Sequence, residues 1–274
     1  MMKVQEYVDQ LMAKTTLTYK GLGAPGGMKT CDGLLCGDPE KEVKKVATTF
    51  IVTVEVLRQA IADGVDLIIS HEPLFCVPGP FSFIGNEWDE EKGALIQSSG
   101  IAVMRFHDGM HFIRPDLIYR GWMMEFGWED YNIPGPNYHF YEIPETTMGE
   151  VAQLVKEKLG MPGIRACGDP NQKVRRVGVL VGGGGQGLGN PMMPMNCIVE
   201  ENLDLLIAGE IMELSLPYFA ADARALGHEV SLLVAGHNRT EEVGMKHLPS
   251  WLDGAMPGPE YCFIDSGDPI GTIL

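Results

Sequence analysis

The sequence predicts an α/β fold built on largely parallel strands, and three features carry that prediction. Short apolar runs at Val65–Ser70, Ile101–Phe106 and Ser231–Gly236 each stop at a histidine: His71, His107 and His237. The segment from Val43 to His71 reads as strand, helix, strand, the signature of a parallel pair joined by a right-handed crossover. Strand-like runs then alternate with helical patterns along most of the chain, with no linker between independent domains and no repeat detectable by eye.

The elements follow in order. Val4–Ala13 places Val4, Val8, Leu11 and Met12 on one helical face. Glycine-rich Gly21–Gly27 leads into Thr30–Pro39, where the DG and GDP steps flank one short strand. Val43–Ile51 is the next strand. Thr53 caps the helix Val54–Gly64, with Val56, Leu57, Ala60 and Ile61 spaced for burial. The strand ending at His71 is closed by Pro73, and Phe75–Asn86 reads as a loop. Asp89–Ser98 is a helix and Ile101–Phe106 a strand. Residues 112–141 lack periodicity and read as a partly helical connection. Thr147 and Glu150 form a capping box before the helix Val151–Leu159, which Gly160 ends. Ile164–Gly168, Val174–Val181 and Leu203–Ala208 are strands. Leu214–Leu226 is a helix, Ser231–Gly236 a strand and Thr240–Leu248 a helix.

Composition excludes several classes. The 274 residues are 45% hydrophobic, enough for a sizeable core in one large α/β unit or two interlocked ones, and 21% charged, which does not suit a disordered chain. A net charge of -16 argues against nucleic acid as main ligand, because phosphate binding needs a basic surface. No run is long enough for a membrane span and no signal peptide is apparent, so a cytoplasmic location is expected. The six cysteines show no CxxC pair and read as reduced thiols, Cys76 among them as a buried apolar residue near His71.

In open parallel sheets ligands gather at the carboxyl ends of strands, where His71, His107 and His237 lie. Each has a second ligand-type residue at a workable spacing. His107 with His111 and His237 with Glu241 stand four residues apart and share a face if the chain turns helical. Consecutive His71 and Glu72 can both turn inward at a strand end broken by Pro73. Histidine and carboxylate together suit Zn, Fe, Mn, Co or Ni alike. A lone histidine after a strand is more often a hydrogen-bonding residue; three such ends make a metal site the better reading. The run Gly182–Asn190 after a strand is either an anion cradle or a tight loop, the latter favoured because Pro191 and Pro194 interrupt any helix.

These stretches carry a family resemblance. DLIISHEPLF resembles the DLIIxHHPLxF motif of the GTP cyclohydrolase I type 2 family, also called Nif-three-like, and AGHNRTE resembles its GHYATE motif. DGLLCGDP, PGIRACGDPNQKVRRVGVLVGGGG and DLLIAGE occupy the family's other places in order, so the resemblance covers nearly the whole chain. It implies two interleaved α/β lobes, here residues 1–125 with 230–274 and residues 126–229, with a dinuclear metal centre in the cleft and assembly into a homo-oligomer, often a hexameric ring. The implied ligands are His71, His107, His237 and Glu241, with two departures. The family's second consecutive histidine is Glu72 here, and its aspartate after the HT step is His111. Read as an exchange, the six positions still hold four histidines and two carboxylates. A second alignment uses Asp108 as the carboxylate.

The resemblance implies two divalent cations and hydrolysis of a small nucleotide-like or phosphorylated substrate, with Glu72 or Asp108 as the catalytic carboxylate relaying a proton. The substrate is anionic if the glycine loop at Gly182 faces the site. A non-catalytic metal-binding or partner-binding protein is the alternative.

Overall fold

In a computed structural model, the structure describes residues 2–21, 30–74, 87–135 and 139–270. The predicted Gly21–Gly27 segment (from residue 22 on), the Phe75–Asn86 loop and Cys76 lie outside the described residues. The chain forms two compact units, Met1–Ile118 with Met245–Gly267 and Tyr119–Gly244 with Asp268–Leu274. Along the chain the boundary between them falls inside two helices, α5 (Leu117–Phe126) and α9 (His237–Ala255), and again after Gly267.

The first unit holds a sheet of β1 (Gly33–Cys36), β2 (Lys45–Thr49), β3 (Leu67–Ser70), β4 (Ala102–Arg105) and β10 (Glu260–Phe263) in the order β1-β4-β3-β2-β10. Only β1 runs antiparallel to its neighbour. The strand–helix–strand unit is present as β2, α2 (Val54–Ala62) and β3. Thr53 caps α2 by accepting from the Val56 N–H at 3.1 Å. Val56, Leu57 and Ala60 pack on Ile68 and Val103, and burying a side chain the size of Val or Leu stabilises the unit by about 1.5–3 kcal/mol. Ile61, expected on the same face, is 44% exposed, so the buried stripe is narrower than the spacing suggested. The helix α1 (Val4–Gly21) continues past the expected Ala13.

The second unit holds β5 (Phe140–Thr147), β6 (Arg165–Cys167), β7 (Lys173–Leu180), β8 (Leu205–Ala208) and β9 (Ser231–Val234), ordered β5-β7-β8-β9-β6. The inner three are parallel and the two edges antiparallel. The strand β9 pairs with β8 and β6, and the chain passes to the first unit between Gly244 and Met245, later than the residue 230 that the resemblance implies.

Elements missed in the sequence have identifiable causes. β5 contains Pro144 and a register irregularity between Glu142 and Thr146, tolerable only because it is an edge strand. The helix α7 (Met193–Glu200) carries Pro194 in its first turn, where no N–H is needed. The capping box of α6 (Met148–Lys158) forms as expected, with Thr147 and Glu150 bonded reciprocally.

Both sheets use one clamp. Asp66, just before β3, accepts the N–H groups of Lys44 and Lys45 at 2.9 and 3.1 Å. Asp204, just before β8, accepts those of Arg175 and Arg176 at 2.8 and 2.7 Å. Each carboxylate fixes the register of two parallel strands at the end opposite the histidines.

Candidate metal centre

In the first unit, β3 delivers His71 and β4 delivers His107. The chain after β3 stays tied to the sheet, the N–H groups of His71 and Glu72 donating to Thr49 O and Phe50 O. After β4 the chain turns into a short helix, α4 (Asp108–Phe112), with His107 at its N-cap and His111 in its last turn. The spacing of four therefore brings both rings to one side, 4.9 Å apart between centroids. His71 lies 4.5 Å from His107 and 5.2 Å from His111. The three offer ring nitrogens within 4.8 Å of one another, a group that could hold a metal ion.

Hydrogen bonding sets the chemistry of that group. Nδ1 of His71 faces Phe106 O at 3.3 Å, Nδ1 of His107 faces Asp108 Oδ1 at 3.0 Å, and Nδ1 of His111 faces Asp116 Oδ2 at 2.9 Å. Carbonyl and carboxylate oxygens only accept, so each Nδ1 carries a proton, and the neutral form of each ring has its lone pair at Nε2. Histidines that bind metal are held in this way, the second nitrogen donating to a carboxylate or carbonyl. The donor set thus fits a borderline divalent cation.

Glu72 is turned to Arg105, with Oε2 3.2 Å from Nη2; both side chains are largely buried. Arg105 also donates from Nε to His71 O at 3.1 Å. Asp108, considered as a proton relay, is crowded with donors: His107 Nδ1, the Cys31 N–H, Thr30 Oγ1 and Cys31 Sγ. The His107 bond leads in holding its carboxyl well below the usual carboxylate range. Burial pushes the neighbouring Cys31 thiol up to about 12. Among the described residues, Cys31, Cys36, Cys167, Cys197 and Cys262 form no disulfide and are half-buried.

In the second unit, His237 opens α9 and Glu241 follows one turn later. His237 Nε2 is 2.9 Å from Glu241 Oε2, and its Nδ1 is 3.2 Å from Glu210 Oε1. The glycine loop packs directly behind this pair. A Cβ at Gly182, which has φ +52°, would collide with Glu241 Oε1 and stand 3.0 Å from His237 Nε2. The N–H groups of Gly182, Gly184 and Gly187 donate to Thr240 Oγ1, Val181 O and Gly184 O. With those donors engaged and a carboxylate against it, this stretch makes room for Glu241 and is poorly suited to cradle an anion.

Of the six ligands that the sequence proposes, four lie in the first unit and two in the second. It missed Asp32, Asp116 and Glu210. Asp116 and Glu210 each sit against a candidate histidine, and Asp32 binds the turn that carries His107. No helix among the described residues is long and apolar enough to cross a membrane.

The model of the Duf34/NIF3 (NGG1p interacting factor 3) family matches residues 29–108 and 138–269, and the chain belongs to that family. A "GTP cyclohydrolase 1 type 2 homolog" of Clostridium perfringens is 24% identical over 76% of this chain and 78% of its own. Another so named, from Lactococcus lactis, is 27% identical over 78% of this chain and 85% of its own. A Staphylococcus aureus protein of solved structure superposes with a TM-score of 0.72 at 22% identity, covering 99% of both chains.

Proposed function

We propose that this Duf34/NIF3 member is a metal-dependent hydrolase of small, nucleotide-like or phosphorylated compounds, using two divalent cations. The observation that carries the reading is the matched orientation of His71, His107 and His111, each with Nδ1 held by an acceptor. An ordinary cluster of buried histidines has no need of three rings fixed in the same tautomer. His71, Glu72, His107 and His111 in the first unit, and His237 and Glu241 in the second, are the side chains proposed as ligands. A divalent cation at such ligands supplies Lewis acidity and lowers the pKa of water. The chain's own residues do the rest: Asp108 and Asp116 orient the rings, and Arg105 holds Glu72. Asp108 acts here as a positioning residue, because a carboxylate engaged by four donors is a poor proton relay. Zn, Fe, Mn, Co and Ni all suit the donor set. Self-association into a ring of identical chains is part of the proposal.

One observation favours the alternative, a non-catalytic metal-binding protein. Of the two carboxylates considered for proton transfer, Asp108 is crowded by donors and Glu72 is ion-paired. The deciding experiment is metal analysis of protein prepared without chelator, beside His71→Ala, Glu72→Ala and His111→Ala, with turnover of a panel of phosphorylated and cyclic nucleotide-like compounds. Metal content that falls in the variants, with turnover in the wild type, supports the hydrolase. Bound metal without turnover would favour the alternative, and no metal above background would sink both. Light scattering reads the assembly.

A further inference from the structure

The turn that carries His107 and His111 is held by a residue far away in sequence. α4 begins without a side-chain cap of its own, since His107 at the N-cap makes no such bond. The first N–H groups of a helix have no partner inside it. Asp32 supplies one from outside: Oδ1 accepts the N–H groups of His107 at 2.7 Å and Asp108 at 3.0 Å, and Oδ2 accepts that of Gly109 at 2.7 Å. The approach is close enough that a Cβ on Gly109 would stand 2.8 Å from Thr15 Cγ2 and 3.0 Å from Asp32 Oδ2. The neighbours of Asp32 reinforce the grip, Thr30 Oγ1 and the Cys31 N–H donating to Asp108. Residues 30–32 and 107–109 are thus joined by bonds running both ways.

We propose that Asp32 is the positioning residue of the His107/His111 arm: its carboxylate fixes the turn so that both rings present Nε2 to one point. Its bonds to the arm go to backbone N–H groups and not to the imidazoles, and it is not proposed as a ligand. Its consequence for cation binding rests on the metal reading above, whereas its effect on the rings does not.

The test compares Asp32→Ala and Asp32→Asn with wild type in two measurements. Imidazole nitrogen resonances of the metal-free protein report ring environment and tautomer, and Co(II) titration reports affinity and the visible spectrum of the loaded site. Loss of an outer partner of this kind costs roughly 10–100-fold in metal affinity. Asp32→Ala is expected to move the His107 and His111 resonances, leave those of His237 in place, weaken Co(II) by that factor and alter its spectrum. Asp32→Asn retains an acceptor oxygen and is expected to fall between; it serves alone should the alanine variant not fold. Unchanged His107 and His111 resonances would overturn the proposal, as would shifts spread equally to His237, which mark general loosening. If wild type binds no Co(II), the metal reading fails, and the resonances still decide the role of Asp32.

Discussion

His111 donates Nδ1–H to Asp116 at 2.9 Å, and Asp116 is 3% exposed while its other oxygen accepts the Ile118 N–H at 2.8 Å. The carboxylate is therefore fixed by backbone, and it fixes the ring. Asp116→Ala is expected to weaken divalent metal binding by roughly 10–100-fold while leaving the imidazole in place. Competition with a chromophoric chelator measures it. An affinity equal to wild type would show that the His111 ring is held by packing alone.

Gly182 and Glu241 give a steric test. Gly182→Ala puts a methyl group into the Glu241 carboxylate at a residue with φ +52°, a backbone region costly to side chains. Overpacking of this kind costs about 1–3 kcal/mol. The nearby Gly183→Ala is the control, since a Cβ there meets only Leu188 at 3.6 Å. Urea unfolding should show a lowered midpoint for the first and little change for the second. Equal midpoints would mean that Glu241 moves aside freely.

Much of the centre was legible because its spacing is local. A histidine at the end of a parallel strand and a second ligand four residues on need only the strand end and one helical turn to converge, as His107 and His111 do. Asp32 and Glu210 were not legible for the opposite reason. Asp32 is 75 residues from His107, and no periodicity links positions that meet only when β1 lies beside β4. The glycine run reads best as a tight loop from its prolines, but what it is tight against, the Glu241 carboxylate, becomes visible only once β7 and α9 are in place. In the fold, β5 escaped because Pro144 breaks the alternation that marks a strand.

The strand clamps predict a pH dependence. Burial opposes the charged form of Asp66, but the N–H groups of Lys44 and Lys45 and the Lys41 ammonium outweigh it and lower its pKa. A lowered folded-state pKa gives stability that is complete above the unfolded value, about 3.9, and lost as pH falls through the folded value. Asp66→Ala should cost roughly 1.5–3 kcal/mol near neutral pH, the scale of hydrogen bonds to a charged group. The gap from wild type should narrow as the medium is acidified below pH 4. Urea midpoints across that range check it, and a gap independent of pH would assign the effect to packing.

Glu72 and Arg105 decide how the unusual residue of the histidine–glutamate step acts. Their side chains meet at 3.2 Å with exposures of 16% and 8%, and Arg105 also holds the His71 carbonyl. If Glu72 serves by balancing the guanidinium charge beside three imidazoles, Glu72→Gln leaves excess positive charge there and weakens cation binding. Arg105→Met alone removes that charge, and in the Glu72→Gln background it should restore much of the affinity. Coupling between neighbouring charged side chains runs about 0.5–3 kcal/mol, so the double variant should bind several-fold more tightly than Glu72→Gln. If Glu72 is instead a ligand, removing Arg105 recovers nothing, because the missing oxygen stays missing. Isothermal titration of the four proteins with one divalent cation separates the two roles.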